Sequence, residues 1–372
     1  ANRTSNAVLR GSSWPNSITT DVPLIFAVTG SGLSGTRFAL GFTTSGGPKV
    51  TGANIGSRNV GTSQSITVSF DQPLLASQDF SKLASMTVHG KAHPVAAAVK
   101  GNKVVLTPGG PLPLCAPFTI RFNGQVQSLY GISGDSSWSF NSRAICYKTF
   151  TIGTSVRGRA ITAYQFGESP NPVVYMGGMH GNEANSRSLM MQWFNELNAN
   201  PGRLPARSLV VIPGVNPDGL AGGSRLNARG VDLNRNFPAA DWKSVVTSPD
   251  NPNPTPAGGP APLSEPESRA VAAFIQRVQP RMVFSFHSAA AVVEANEAGD
   301  SVSVASVYAA KARYRAVPKS QSAPIFKYDT TGAMEDWMRD RLGRPAIVVE
   351  LLSKTNSEFS RNRDALWYTI GL

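Results

Sequence analysis

No glutamate occurs in the first 148 residues, a stretch that carries 12 Lys and Arg against 4 Asp. Good helix formers are therefore scarce there, while Ser, Thr, Gly and Val are frequent, so a helical N-terminal third is excluded. No apolar stretch approaches the ~20 residues that a membrane span needs, so no transmembrane segment is expected. The net charge of +12 comes without a recognised nucleic-acid motif or interleaved aromatic and basic residues, which speaks against a nucleic-acid role. The chain begins at Ala1 without a basic and apolar leader, which reads as a mature chain after signal-peptide removal, hence secreted or periplasmic. Histidine is rare as well. Of four in the chain, two lie in the N-terminal third, leaving His180 and His287.

The length of 372 residues suggests two or three domains, and 41% hydrophobic residues is ordinary for a globular protein. Between residues 47 and 148, short alternating runs recur: Ser65 to Phe70, Lys103 to Thr107, Phe118 to Phe122 and Trp138 to Phe140. Gly- and Pro-rich turns separate them, the pattern of a β-sandwich. The tokens SITVSFDQPL, VVLTPGGPLP and SWSF resemble bacterial immunoglobulin-like modules of secreted proteins. Residues 1–46 are a β segment, read either as part of a truncated preceding module or as strands added to the sandwich. Cys115 precedes one predicted strand and Cys146 follows another. If those strands are antiparallel neighbours, both cysteines sit at one end of the sheet, and a Cys115–Cys146 disulfide is expected over two reduced thiols.

The chemistry begins after the apolar run Pro172 to Met176, where His180-Gly181-Asn182-Glu183 forms an H-x-x-E motif. By itself such a tetrapeptide often arises by chance. A second apolar run, Met282 to Phe286, ends in His287, and a third, Pro345 to Val349, ends in Glu350. Three polar groups at the ends of three strands can converge on one side of a sheet. Two histidines and one carboxylate with an open fourth position form the ligand set of a catalytic zinc ion. Glu350 is then left as a base, and a carboxylate bracketed by Val348, Val349, Leu351 and Leu352 is costly to bury without a purpose.

Between these points lie NPDG (Asn216 to Gly219) and GVDLNRNF (Gly230 to Phe237), followed by FHS and VVEL. In this order the tokens resemble the carboxypeptidase A-type family of zinc metallopeptidases, from about residue 149 to the C-terminus. The resemblance implies an α/β catalytic domain over 149–372, a mixed sheet flanked by helices, and one Zn2+ per chain. His180, Glu183 and His287 match the zinc ligands, and Asp232 the carboxylate that orients the first histidine. Asn234 and Arg235 match the pair that holds a substrate carboxylate, for which a guanidinium fork is suited. Arg225, rather than nearby Arg229, matches the arginine that stabilises the oxyanion, and Glu350 the general base and acid. Tyr328 matches a substrate-capping tyrosine. One extra residue between Gly332 and Trp337 departs from the pattern. It leaves open which of Met334, Glu335 or Asp336 faces the leaving-group side chain.

Residues 239–263, with prolines at 249, 252, 254 and 256, read as a surface loop rimming the site, unable to form a helix or inner strand. Helices are expected over Leu189 to Leu197 and from Ser264-Glu265-Pro266-Glu267 through about Val278, with proline in its favoured place near the start. Within the family, Ile152 to Arg159 most resembles bacterial cell-wall-peptide hydrolases such as murein tripeptide amidases, which cleave between D-glutamate and diaminopimelate. A peptide or muropeptide substrate is thus expected, and the basic balance suits an anionic cell wall. The alternatives are a general carboxypeptidase acting on protein C-termini, an N-acyl amino-acid deacylase, and a non-catalytic cell-wall-binding protein.

Overall fold

A computed structural model of the chain describes residues 47–372 except 130, 134 and 135. The expected β segment over 1–46 lies outside the described residues. The chain separates into two compact units, with the division between Ile145 and Cys146.

In the N-terminal unit, two four-stranded antiparallel sheets share one apolar core. One sheet contains Ile66–Phe70 and Lys103–Pro108, the other Ala84–Val88 and Pro117–Gly124. Period-two alternation explains the packing: Ile66, Val68 and Phe70 turn inward while Thr67 and Ser69 are only half-buried. Met86, Ile120 and Phe122 answer from the other sheet. Pro117–Gly124 pairs antiparallel with Ser136–Arg143, as the cysteine argument requires. Neither cysteine is free, and both are disulfide-bonded.

The second unit is an eight-stranded mixed sheet. Its strands are β1 (Tyr147–Thr154), β2 (Ala160–Phe166), β3 (Val173–Met176), β4 (Leu209–Ile212), β5 (Met282–Ser288), β6 (Val292–Ala295), β7 (Arg315–Pro318) and β8 (Ala346–Leu351). They run in the order β7-β6-β8-β5-β3-β4-β2-β1. β4, β3, β5 and β8 are mutually parallel. Every residue of these four strands is buried, as expected of parallel strands covered on both faces. Helix α2 (Pro266–Val278) packs Val271, Phe274 and Ile275 against Val174, Ile212 and Val283. On the opposite face, Tyr175 and Phe284 meet Trp193 of α1 (Ala184–Ala199) and Tyr308 of α3 (Ser301–Ala312). Trp193 also packs edge-on against Trp367 of α4 (Phe359–Thr369).

The chain leaves β3 toward β4 on one side and then returns to place β5 on the other. That reversal is the topological switch point, where ligands bind beyond the carboxyl ends of the strands. His180 follows β3, while His287 and Glu350 sit in register near the ends of β5 and β8.

The proline-rich stretch differs from the loop expected of it. Val246–Ser248 pairs antiparallel with Asn251–Thr255 as a two-stranded ribbon. Each strand of such a ribbon has a free edge, so Pro252 and Pro254 need supply no ladder N–H.

Candidate active site

Backbone packing shapes the turn that carries His180. A Cβ at Gly181 would lie 1.9 Å from the carbonyl carbon of Gly219, and one at Gly219 would strike the Asn216 side chain at 2.4 Å. The HGNE and NPDG segments therefore touch backbone to backbone, which only glycine permits. Asn216 caps the short helix Pro217–Gly222 by accepting from the Gly219 N–H.

His180 Nδ1 lies 3.0 Å from Glu183 Oε1 and 3.1 Å from His287 Nδ1. Glu183 Oε2 stands 3.3 Å from His287 Nδ1 and accepts from the Ser288 N–H. All three residues are buried, and one ligand atom from each falls within 4.8 Å of the others. The outer ring nitrogens are committed elsewhere: His180 Nε2 lies 3.0 Å from Asp232 Oδ1, and His287 Nε2 lies 2.9 Å from Ser285 Oγ. Two imidazole nitrogens and a carboxylate aimed at one point make a donor set suited to zinc, with the outer partners holding each ring in place. No other described group of three His, Cys, Asp or Glu side chains meets the same test.

The surrounding charges keep the carboxylates ionised. Burial would raise Glu183, yet His180 and His287 hold it well below the usual range. Asp232 is likewise held down against burial, chiefly by Arg225 and then by His180. The Arg225 guanidinium bridges the two carboxylates, donating from Nε to Asp232 and from Nη1 to Glu183. Arg229, by contrast, is exposed, with its guanidinium 3.7 Å from Glu265.

Glu350 lines the same cavity as His180, His287 and Arg225. Burial pushes its carboxyl up to about 7, against the pull of His287. Arg235 and Tyr328 line this cavity too, with the guanidinium carbon 5.8 Å from the tyrosine ring. Arg235 donates to the backbone carbonyls of Asn234 and Asp329. Asn234 is held by Met334 N–H and reaches Glu335 Oε2. Of the residues singled out from the sequence, His180, His287, Arg225, Asn234, Arg235, Tyr328 and Glu350 thus line one cavity, and Glu183 and Asp232 buttress it through their contacts with His180 and Arg225.

Three features were not read from the sequence. Glu294 and Lys319 also line the cavity. The signal for Glu294 was present in Ala291-Val292-Val293-Glu294-Ala295, the same apolar bracketing that marks Glu350. The proline-rich ribbon braces the site: Thr247 donates through N–H and Oγ1 to Asp329 Oδ2, and its Oγ1 accepts the Asp329 N–H. Asp250 on the same ribbon accepts from Asn182, inside the HGNE turn. Finally, buried Asn236 joins Gly258, Ala261, Ser264, Glu265 and Ser268 through its side chain. It anchors the DLNRNF turn rather than facing the cavity.

Residues 142–366 match the zinc carboxypeptidase family, and residues 45–142 match a bacterial Ig-like domain. Murein peptide amidase A of Escherichia coli strain K12 is 35% identical over 157 residues, 39% of this chain and 63% of that protein. Gamma-D-glutamyl-L-diamino acid endopeptidase 1 of Lysinibacillus sphaericus is 26% identical over 247 residues, 55% of this chain and 60% of that protein. The matches therefore span about three-fifths of each relative's length. The solved structure of thrombin activatable fibrinolysis inhibitor superposes with a TM-score of 0.51 at 18% identity. It covers 60% of this chain and 67% of that one, a likeness of fold.

Proposed function

We propose that this chain, which belongs to the zinc carboxypeptidase family, hydrolyses an amide bond beside a carboxylate-bearing residue in bacterial cell-wall peptides. The observation that carries the reading is the convergence of His180 Nδ1, His287 Nδ1 and the Glu183 carboxylate in a cavity shared with Glu350. The names of the two peptidoglycan-directed relatives support the substrate class.

His180, Glu183 and His287 would hold the zinc ion, which supplies a Lewis acid that polarises the scissile carbonyl and acidifies water. Glu350 accepts the proton of the attacking water and passes it to the leaving amine. Desolvation raises its carboxyl, while a bound cation would pull it down. Arg225 lines the cavity and has N–H groups beyond those given to Asp232 and Glu183, which would stabilise the developing oxyanion, a contribution of roughly 3 kcal/mol for one such donor. Arg235, with Asn234, takes the carboxylate of the leaving residue, and Tyr328 closes over it. Asp232 orients His180. The basic chain suits an exported protein acting at an anionic wall, and among the described residues no helix is long and apolar enough to cross a membrane.

Mass spectrometry of products from a muropeptide panel and from ordinary C-terminal peptides tests this reading. Release of diaminopimelate-containing fragments, abolished by chelation and restored by zinc, is expected at about one zinc per chain. Exclusive trimming of ordinary peptides would replace the cell-wall substrate with general carboxypeptidase action. Hydrolysis by demonstrably metal-free protein would overturn the mechanism.

A further inference from the structure

Strand β8, which carries Glu350, runs into a loop at 352–358 that the reaction described above leaves unused. Its residues turn to two sides. Lys354 lines a groove that shares Glu350 and Tyr328 with the catalytic cavity but contains neither Asn234 nor Arg235. That groove therefore lies on the acyl side of the scissile bond. Ser353 and Thr355 line a second groove of about 730 Å3, with Leu352, Asn356 and Phe359 and with Gln192 of α1. The loop between the two grooves is fixed from within. Glu358 Oε1 accepts from the N–H groups of Leu352 and Ser353. Asn185 donates to the carbonyls of Ser353 and Asn356 and accepts from Ser288 Oγ, beside His287.

The second groove has the chemistry of a receptor for an uncharged, N-acetylated sugar. Its charged lining residues, Glu358 and Arg361, answer each other at 3.6 Å, so it offers little to an ionic ligand. Two amides present donors instead. The oxygens of Asn356 and Gln192 are engaged by the Glu358 N–H and the Ser357 hydroxyl, and neither amide nitrogen has a partner among the described residues. An acetamido carbonyl is an acceptor for such donors. Its methyl needs apolar surface nearby. Leu352 supplies it at 58% exposure, the highest among the exposed large hydrophobics described, with half-buried Phe359 in the same lining. A few placed polar groups beside apolar surface, in a groove of this volume, are what a ligand site requires.

We propose that this groove holds an N-acetylated sugar of the glycan strand that carries the substrate peptide. The enzyme then acts on peptides still joined to glycan, the sugar lying one loop's width from the acyl-side groove. The inference rests on the reading that the substrate is a cell-wall peptide.

Calorimetry on the zinc-loaded chain separates sugar binding from catalysis. A tetramer of N-acetylglucosamine should bind about 10-fold or more tightly than maltotetraose, which lacks the acetamido groups. Asn356→Asp keeps the oxygen that holds the Glu358 N–H and removes the donor, and Leu352→Ala removes the apolar surface. Each should weaken tetramer binding by about 5-fold, the scale of one net hydrogen bond or a few buried methyl groups. Both side chains are exposed, so folding is not at stake. Equal binding of the two sugars would overturn the proposal, and so would a preference that both variants retain. In hydrolysis, a glycan-linked peptide should be cut with about 10-fold higher kcat/KM than the same peptide free, and Leu352→Ala should narrow that ratio. If wall peptides are cut and the tetramer does not bind, the groove assignment alone falls. If the tetramer binds through Leu352 and Asn356 while no wall peptide is cut, the hydrolase reading falls and the groove stands.

Discussion

The two units bury very different things. Among the described residues, the buried polar side chains of the N-terminal sandwich are Ser128 and Ser142. The catalytic unit buries His180, His287, Arg225, Arg235, Asp232 and several glutamates around one cavity. The sandwich stabilises itself by alternation, inward Ile, Val and Phe against outward polar residues, and asks nothing chemical of its interior. The second unit carries charges into its core and offsets their desolvation with partners, as in the His180–Asp232–Arg225 chain. Where burial outweighs that offset, at Glu350, the carboxyl is pushed up to about 7, and the base role is proposed there.

Substitutions can break this contrast, and the largest effect is expected at Glu350. Glu350→Gln keeps the volume and removes the proton acceptor, so turnover should fall by about 100-fold or more. Zinc content by atomic absorption should stay unchanged, and normal turnover would remove Glu350 from the base role.

Next comes Arg235→Ala, which should lower kcat/KM by about 10- to 150-fold, matching a lost charge-assisted contact of about 1.5–3 kcal/mol. Amidating the leaving residue's carboxylate should cost as much in the unmutated enzyme. The two changes together should cost little more than either alone, because they remove one interaction. Additive losses would show that Arg235 holds something else.

A smaller loss, roughly 5-fold in kcat/KM, is expected from Thr247→Val, which removes the hydroxyl shared with Asp329 beside Tyr328, a net hydrogen bond of about 1 kcal/mol. Thr247→Ser should restore activity if the hydroxyl positions the tyrosine segment. Failure of serine to rescue would point to the lost methyl packing instead.

The least effect on catalysis should come from the sandwich. Phe122→Ala empties a core position there and should destabilise that unit by about 3–5 kcal/mol in denaturant unfolding. Zinc content and kcat below the transition should not change. A loss of zinc at that position would mean that the contrast between the units is wrong.

Much of the site was legible in the chain because its residues sit at marked places. His287 and Glu350 close apolar runs that can only be buried strands, and the HGNE and NPDG glycines record a backbone contact that tolerates no Cβ. The sandwich strands announced themselves by alternation. The ribbon at 246–255 was missed because proline was weighed as a breaker, whereas a strand with a free edge accommodates it.

The sequence by itself determined the donor types, their order and the strands that end in them, since local periodicity and burial cost are written residue by residue. Only the tertiary structure decided which of Met334, Glu335 and Asp336 lines the cavity, namely Glu335. They occupy one turn of helix, Met334–Trp337, and consecutive side chains there point in directions about 100° apart. The rotation of that turn follows from Met334 and Trp337 packing into the core and from Lys319 capturing Asp336. Those partners lie far away along the chain or across the sheet, so no local pattern encodes which carboxylate is left facing the cavity.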